Sequence, residues 1–203
     1  ENISNWKQTL NMKEASFTTS FTFKDKAAIS YTMYALRNVQ YSGYLDISIE
    51  AIKDIKVKAI ASIKTPKEYH NPISTFRVLK DLETTMPILQ TVARSREKKH
   101  LVAASGTFIW HDINSTREHQ RPELHHKKVD DYNNSLSFSK KIKKGSSLDF
   151  AWTGAICTTQ DFEDPQNESE RFVIFNLLTP KKDLLEQHKQ LWNKLWEGDI
   201  VIE

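Results

Sequence analysis

The sequence has a single cysteine, Cys157, among its 203 residues. One cysteine cannot form an intrachain disulfide, and it cannot build a cysteine-based metal site. Long apolar runs are also missing: none approaches the roughly 20 residues that a membrane-spanning helix needs, so we predict no membrane span. Cys157 lies in an apolar segment beside Ile156, where its simplest interpretation is a small buried side chain.

A surplus of charge of one sign is missing as well. The chain carries 29 basic and 26 acidic residues, which gives a net charge of +3. A nucleic-acid-binding domain would need a clustered basic face, so we expect no nucleic-acid partner. Hydrophobic residues make up 38% of the chain and aromatic residues 10%, which is enough for a folded core and excludes a disordered protein.

Targeting signals and internal repeats are not evident either. The chain has no recognisable signal peptide and begins at Glu1 rather than at methionine, which we interpret as a mature or trimmed form. The lack of disulfides does not fix the compartment, because a large enough core in a periplasmic protein needs no bridge. We expect a periplasmic or secreted location, with a cytoplasmic location as the alternative.

What the sequence does contain is the alternation of apolar and polar residues that is typical of β-strands. It predicts strands at residues 15–23, 29–36, 44–52, 55–63, 88–94, 101–110, 135–142, 147–157 and 171–178. One apolar and one polar face per strand are what the antiparallel sheets of a sandwich need. We therefore predict a mainly β fold, a large two-sheet sandwich with few helices.

Three stretches interrupt this alternation and are predicted to lie outside the strands. Residues 65–82 contain prolines and a polar run, which indicate a loop or a short helical excursion. Residues 111–131 form the longest polar stretch, and residues 160–170 form a shorter acidic one. We expect both to be protruding loops.

The last segment of the chain has the pattern of a capped helix. Thr179 can accept from the first free amides, Pro180 suits the first helical position, and Gly198 sits where a left-handed residue often ends a helix. One continuous face of 3.6-residue period contains Leu184, Leu185, His188, Leu191, Trp192, Leu195 and Trp196. A face of this size either folds back on the preceding domain or leads into a further one.

This helix and two earlier segments resemble glycoside hydrolase family 65, which contains maltose, trehalose and kojibiose phosphorylases and related hydrolases. The resemblance rests on His188, Trp192, Leu195, Trp196 and the run DIVIE at residues 199–203, and on residues 10–19 (LNMKEASFTT), 34–38 (YALRN) and 44–54 (YLDISIEAIKD). It extends over most of the chain, through hydrophobic and turn patterns rather than one compact motif.

The resemblance implies an architecture. Residues 1–178 would form an antiparallel sandwich of the galactose-mutarotase-like kind, and residues 179–203 a linker helix and the start of the connection to an (α/α)6 catalytic domain that this sequence lacks. We predict that Leu191, Trp192 and Leu195, together with Trp196, form the interface with that domain. The partners of this chain would then be its own catalytic domain and a carbohydrate substrate.

The resemblance also implies a chemistry that this chain would not perform by itself. The family's catalytic carboxylate belongs to the barrel, where it protonates the leaving oxygen of an α-glucosidic bond. In a phosphorylase, inorganic phosphate would then attack the anomeric carbon as a co-substrate; in a hydrolase, water would attack. We therefore expect no catalytic residue and no cofactor in the chain.

Trp110 and His111 are candidate substrate-binding residues, because they close a predicted strand and open the long polar loop. An indole at such a place can stack on the apolar face of a sugar, and an imidazole can hydrogen-bond its hydroxyls. The alternative is that Trp110 completes the core at the strand end. Four histidines share the loop (His111, His119, His125 and His126). Their spacing is not helical and their neighbours are basic, so we predict no metal site.

Catalysis within this chain has no support in its motifs. Asp161, Glu163 and Asp164 supply carboxylates, but no pattern brings a pair to the separation of about 5–10 Å that glycoside cleavage needs. No nucleophile-elbow pattern of the G-x-S-x-G type is present. Two alternatives stay open: a free-standing carbohydrate-binding sandwich that uses Trp110, and a structural domain that binds another protein through its C-terminal helix.

Overall fold

The structure is a computed structural model that describes residues 2–80, 85–110 and 121–198. Its elements in chain order are β1 (Ile3–Asn11), β2 (Ser16–Phe23), β3 (Ala27–Ala35), β4 (Ser42–Ala51), β5 (Ile55–Lys64), β6 (His70–Lys80), β7 (Thr85–Arg94), β8 (Leu101–Trp110), β9 (His125–Asp130), β10 (Asn133–Ile142), β11 (Ser147–Thr158), α1 (Pro165–Leu178) and α2 (Lys181–Trp196). Neither of these helices is long and apolar enough to span a membrane.

The strands form two antiparallel sheets of unequal size. The large sheet has the order β1-β2-β3-β4-β11-β8-β7-β6, and the small sheet has the order β5-β10-β9. The small sheet packs over β6, β7 and β8 of the large one. The predicted two-sheet sandwich with a C-terminal helix is therefore confirmed.

The first core lies between the sheets and follows from alternation. Every second residue of β5 points inward, as a strand with one buried face requires. The buried side chains of this core include Leu89, Phe108, Leu136, Phe138 and Phe150. Burying one side chain of this size stabilises the folded state by about 1.5–3 kcal/mol.

The second core lies on the opposite face of the large sheet, beneath the helices. α1 crosses β8 and β11, and α2 follows it along the same face. The cluster contains Leu36, Val39, Tyr44, Ile109, Ala151, Leu177, Leu184 and Leu185. Ala151 alternates with Phe150, which belongs to the first core, so β11 separates the two cores.

The prediction of a strand at residues 171–178 is wrong, because these residues belong to α1. The acidic stretch before them is not entirely loop either, since α1 begins at Pro165. Asp164 caps the helix by accepting a hydrogen bond from the Asn167 N–H at 3.1 Å. α1 lacks a helical apolar period because polar residues, among them Ser169 and Asn176, lie on its buried face.

Three edge strands were not predicted. Residues 65–82 contain β6 rather than a loop, and the polar stretch at 111–131 contains β9; β1 was not predicted at all. All residues of β9 and nearly all of β1 are exposed, so neither strand shows the one-sided burial that makes alternation visible. β6 starts with a register shift at a left-handed Asn71 (φ 50°), which masks its strand pattern.

The caps of the last helix also differ from the prediction. Thr179 ends α1, where its hydroxyl donates to the Phe175 carbonyl at 2.7 Å, and Pro180 is the N-cap of α2. Gly198 does not adopt a left-handed conformation. The helix itself is present over nearly the predicted length.

Candidate functional site

The first half of α2 is fixed to the sandwich. Leu184 is fully buried in the second core, and Leu185 is almost so. Asn38 donates to the Leu184 carbonyl at 3.1 Å, and the Lys181 ammonium lies 2.6 Å from the Asp46 carboxylate. The helix therefore folds back on the preceding domain over its first two turns.

His188 lies in the middle of α2, and it is completely buried. Its Nδ1 accepts from the Arg37 N–H at 3.0 Å, which leaves Nε2 to donate to the Glu14 carbonyl at 3.1 Å. Burial lowers the pKa of His188 below its usual value, and the hydrogen bonds to the backbone of Glu14 and Ala15 oppose part of that shift. A neutral imidazole thus links α2 to two separate turns of the large sheet.

Beyond His188, the helix contacts the turn between β1 and β2. The Lys189 ammonium lies 2.8 Å from the Glu14 carboxylate, and this pairing raises the pKa of Lys189. The indoles of Trp192 and Trp196 both donate to the Met12 carbonyl, at 2.6 and 3.2 Å. One backbone oxygen therefore positions both tryptophans.

The outer side of this last part of α2 is apolar and uncovered. Leu191 is 38% exposed, Leu195 49% and Trp196 36%; we name these three residues the distal strip. Trp192 is half-buried. Of the four predicted interface residues, the two tryptophans are thus hydrogen-bonded to the sandwich at Met12. Leu191 and Leu195 lie at the surface, and Trp196 is also partly exposed.

Trp110 ends β8 and is half-buried at the rim of the first core. Its ring centroid lies 4.8 Å from that of Phe138 and 6.0 Å from that of Phe150. This packing is the arrangement expected if Trp110 completes the core. His111 lies outside the described residues, so its relation to Trp110 stays a prediction.

The clustered histidines are only partly within the described residues. His125 and His126 belong to β9, where His126 stacks on Phe76 with ring centroids 4.7 Å apart. The His126 Nε2 and the Asn134 Oδ1 are 2.6 Å apart. Across residues 2–80, 85–110 and 121–198, no group of three or more His, Cys, Asp or Glu side chains could hold a metal ion.

Two of the candidate carboxylates near α1 have structural partners. Asp164 caps the helix, and Asp161 accepts from the Thr158 hydroxyl at 3.1 Å. Cys157 is fully buried in β11, as its apolar neighbours predicted. These residues stabilise the start of α1 and the second core rather than forming a reaction centre.

The residues that receive α2 were not predicted from the sequence. Met12 and Glu14 lie in the β1–β2 turn, and Arg37 and Asn38 follow β3. Their contacts with α2 use mainly backbone atoms, which every residue type carries, so these contacts cannot be recognised from the sequence. The only available signal was their position within two segments that share the family resemblance.

Comparison with known families identifies the chain. The family described as "Glycosyl hydrolase family 65, N-terminal domain" matches residues 1–195. This chain belongs to that family. The sequence resemblance drawn from the C-terminal helix is therefore confirmed.

Two relatives of this family 65 domain are similar along its whole length. It is 34% identical over 202 residues to a kojibiose hydrolase of Flavobacterium johnsoniae. This alignment covers 100% of this chain and 29% of the relative. It is 31% identical over 201 residues to a kojibiose hydrolase of Mucilaginibacter mallensis, again covering 29% of the relative. The chain thus spans less than a third of the length of these relatives.

A solved structure has the same fold as this family 65 domain. It is described as a putative kojibiose phosphorylase from the human microbiome, and it superposes with a TM-score of 0.71 over 96% of this chain and 25% of its own. Because the two sequences are only 9% identical, this likeness supports the fold alone.

Proposed function

We propose that this chain is a non-catalytic N-terminal domain of a larger carbohydrate-active enzyme. It serves as a scaffold, and the distal strip of α2 contacts the catalytic domain. The observation that carries this proposal is the division of one helix face: Leu184 is fully buried, whereas Leu195, three turns later on the same face, is 49% exposed. Exposed apolar side chains that continue a core mark an interaction site.

The substrate class is inferred from the relatives. Two kojibiose hydrolases share about a third of the residues of this chain, so we propose that the complete protein cleaves kojibiose or a related α-glucoside by hydrolysis. If it were a phosphorylase, inorganic phosphate would be the co-substrate. We propose a periplasmic or secreted location, and we assign neither a cofactor nor a catalytic residue to this chain.

A matched pair of variants tests the role of the distal strip. In the longer polypeptide, Leu195→Gln should lower the thermal midpoint and reduce the release of glucose from kojibiose, because it places an amide in an apolar interface at a cost of about 1–3 kcal/mol. Leu178→Gln is the control, since Leu178 is 53% exposed near the end of α1 and should change neither quantity. Equal behaviour of the two variants would contradict the proposed interface.

The length of the reading frame supplies an independent test. We expect several hundred further residues with the apolar periodicity of a helical barrel. A stop codon directly after residue 203 would overturn the proposal, and the distal strip would then have to be explained as the binding surface of a small protein.

A further inference from the structure

The small sheet covers only part of the large one. At one side, β9 lies over β6, where His126 stacks on Phe76. At the other side, β5 lies over β7 and β8. Within the described residues, β5 pairs with β10 and with no second strand. The free edge of β5 therefore points toward the half of the large sheet that contains β1, β2 and β3.

One row of side chains shows what the small sheet leaves open. Strand pairing aligns Leu10, Phe17, Met33, Leu45, Trp152 and Phe108 across six neighbouring strands. Phe108, beneath the small sheet, is 3% exposed, whereas Met33 is 51% exposed and Leu10 is 66% exposed. The same face of the same sheet thus changes from a closed core to an open apolar surface.

Further apolar side chains enlarge this surface. Trp6 stacks on Phe21 with ring centroids 5.6 Å apart and is still 53% exposed. Ile156, which follows Trp152 at strand spacing, is 59% exposed. A groove of about 930 Å³ separates this surface from the end of β5, with Ile63 on one side and Met33 on the other. Clusters of exposed apolar side chains mark interaction sites.

We propose that one or more extended segments of the longer polypeptide, outside residues 1–203, pair with the free edge of β5 and cover the open apolar surface, from the inner face of β1, β2 and β3 to Ile156 of β11. The added strands complete the small sheet and close the first core. This inference rests on the proposed function, because it requires that the chain is part of a longer protein. Addition of a strand at a sheet edge satisfies the unpaired backbone groups of that edge.

The side chains of β5 indicate what kind of strand fits beside it. Its outward positions carry Lys56, Lys58 and Lys64, with Ile60 and Ser62 between them. Like charges directly opposite each other on paired strands are destabilising. A second copy of β5 would bring its own lysines to this edge. A strand with apolar inward residues and acidic or neutral outward residues pairs better. The relatives supply ample chain for it, since this domain spans 29% of their length.

Hydrogen exchange on the longer polypeptide tests the proposal within one molecule. An unpaired edge strand leaves alternate amides without a partner, so these amides exchange fast. We expect slow exchange at all amides of β5, and fast exchange at alternate amides of β9, the opposite edge of the same sheet. Exchange at β5 as fast as at β9 would overturn the proposal. So would protection of β5 that disappears on dilution, because it would identify a second copy as the partner.

A matched pair of substitutions gives a second readout. Ile156 on the open face and Val129 on β9 are both 59% exposed. In the longer polypeptide, Ile156→Asp should lower the thermal midpoint by about 2–4 °C or more, and Val129→Asp should leave it unchanged. Equal shifts would contradict a covered face at Ile156. If Ile156→Asp has no effect while Leu195→Gln is harmful, the proposed function stands and only the strand addition fails.

Discussion

The two cores of this domain differ in their balance of apolar packing and buried hydrogen bonds. The core between the sheets has an aromatic centre, in which Phe138 packs against Phe108 and Phe150 with ring centroids 5.1 Å apart in both pairs. The buried Asn134 of β10 is a polar exception in this core. The core beneath the helices combines its apolar cluster with a network of buried hydrogen bonds. There, the Asn176 amide donates to the Ser42 hydroxyl at 3.1 Å and to the Thr153 hydroxyl at 2.9 Å.

The two cores therefore have different roles: one stabilises the sandwich, and the other determines where the helices lie on it. Aromatic side chains in the first core stabilise many similar packings, because apolar contacts have little directionality. The hydrogen bonds of the second core fix one position of α1: the Gln90 amide donates to the Ser105 hydroxyl and to the Gln166 carbonyl, both at 3.0 Å. A buried network of this kind is stable only when its members meet in one geometry. The first core holds the sandwich together, and the second core positions the helices on it.

The largest expected effect comes from opening the first core. Phe138→Ala should lower the free energy of unfolding by about 3–5 kcal/mol, because it leaves a cavity among aromatic rings. Phe175→Ala is the control, since Phe175 on α1 is 48% exposed, and it should cost less than about 1 kcal/mol. Urea-induced unfolding of both variants measures the difference. A small loss in Phe138→Ala would show that the first core can collapse around the gap.

Removing the polar anchor of α1 should have a smaller effect. Asn176→Ala leaves the hydroxyls of Ser42 and Thr153 without their donor, at an expected cost of about 1–3 kcal/mol. Asn193→Ala on the exposed side of α2 is the matched control and should be neutral or slightly stabilising. If Asn176→Ala behaved like the control, the network would not position α1, and the contrast between the cores would be lost.

The smallest expected effect is pH-dependent and concerns His188. Burial lowers the folded-state pKa of His188, so the unfolded chain binds the proton first as the pH falls through about 6.5. The stabilisation is complete above that pH and decreases below it. The free energy of unfolding of the unmodified protein should therefore be lower at about pH 5.5 than at about pH 7.5, in part because of His188. In His188→Gln, the contribution of His188 to this difference should be absent. His125→Gln, on the exposed strand β9, should retain it; loss in both variants would contradict the assignment to His188.

The strands that the sequence predicted are mostly those with one buried face. β5 alternates strictly between half-buried and exposed residues, and β8 and β11 carry the apolar residues of the first core. The edge strands β1 and β9 were missed because both of their faces are exposed, so apolar and polar residues need not alternate along them. The same logic explains α1: its buried face contains Ser169 and Asn176, so no apolar period reveals the helix. Its start is encoded locally by the Asp164 cap and by Pro165.

The candidate interface was predictable only as a helix face. The 3.6-residue period grouped Leu184 with Leu195, but it could not tell that the first packs against the sandwich and the second does not. That distinction depends on the β1–β2 turn, since its Met12 carbonyl receives Trp192 and Trp196 while Leu195 stays exposed. Contacts to backbone oxygens far along the chain have no counterpart in sequence spacing.

The bond between His188 and the Glu14 carbonyl joins residues that are 174 positions apart. On the ribosome, the first hairpin emerges long before α2, so the second core stays open until α2 has been synthesised. Contacts of this separation are slow to form because the intervening chain must first be ordered. A nascent chain that pauses shortly before His188 therefore displays Leu36, Val39 and their neighbours as an apolar surface, the kind of surface that chaperones protect from aggregation.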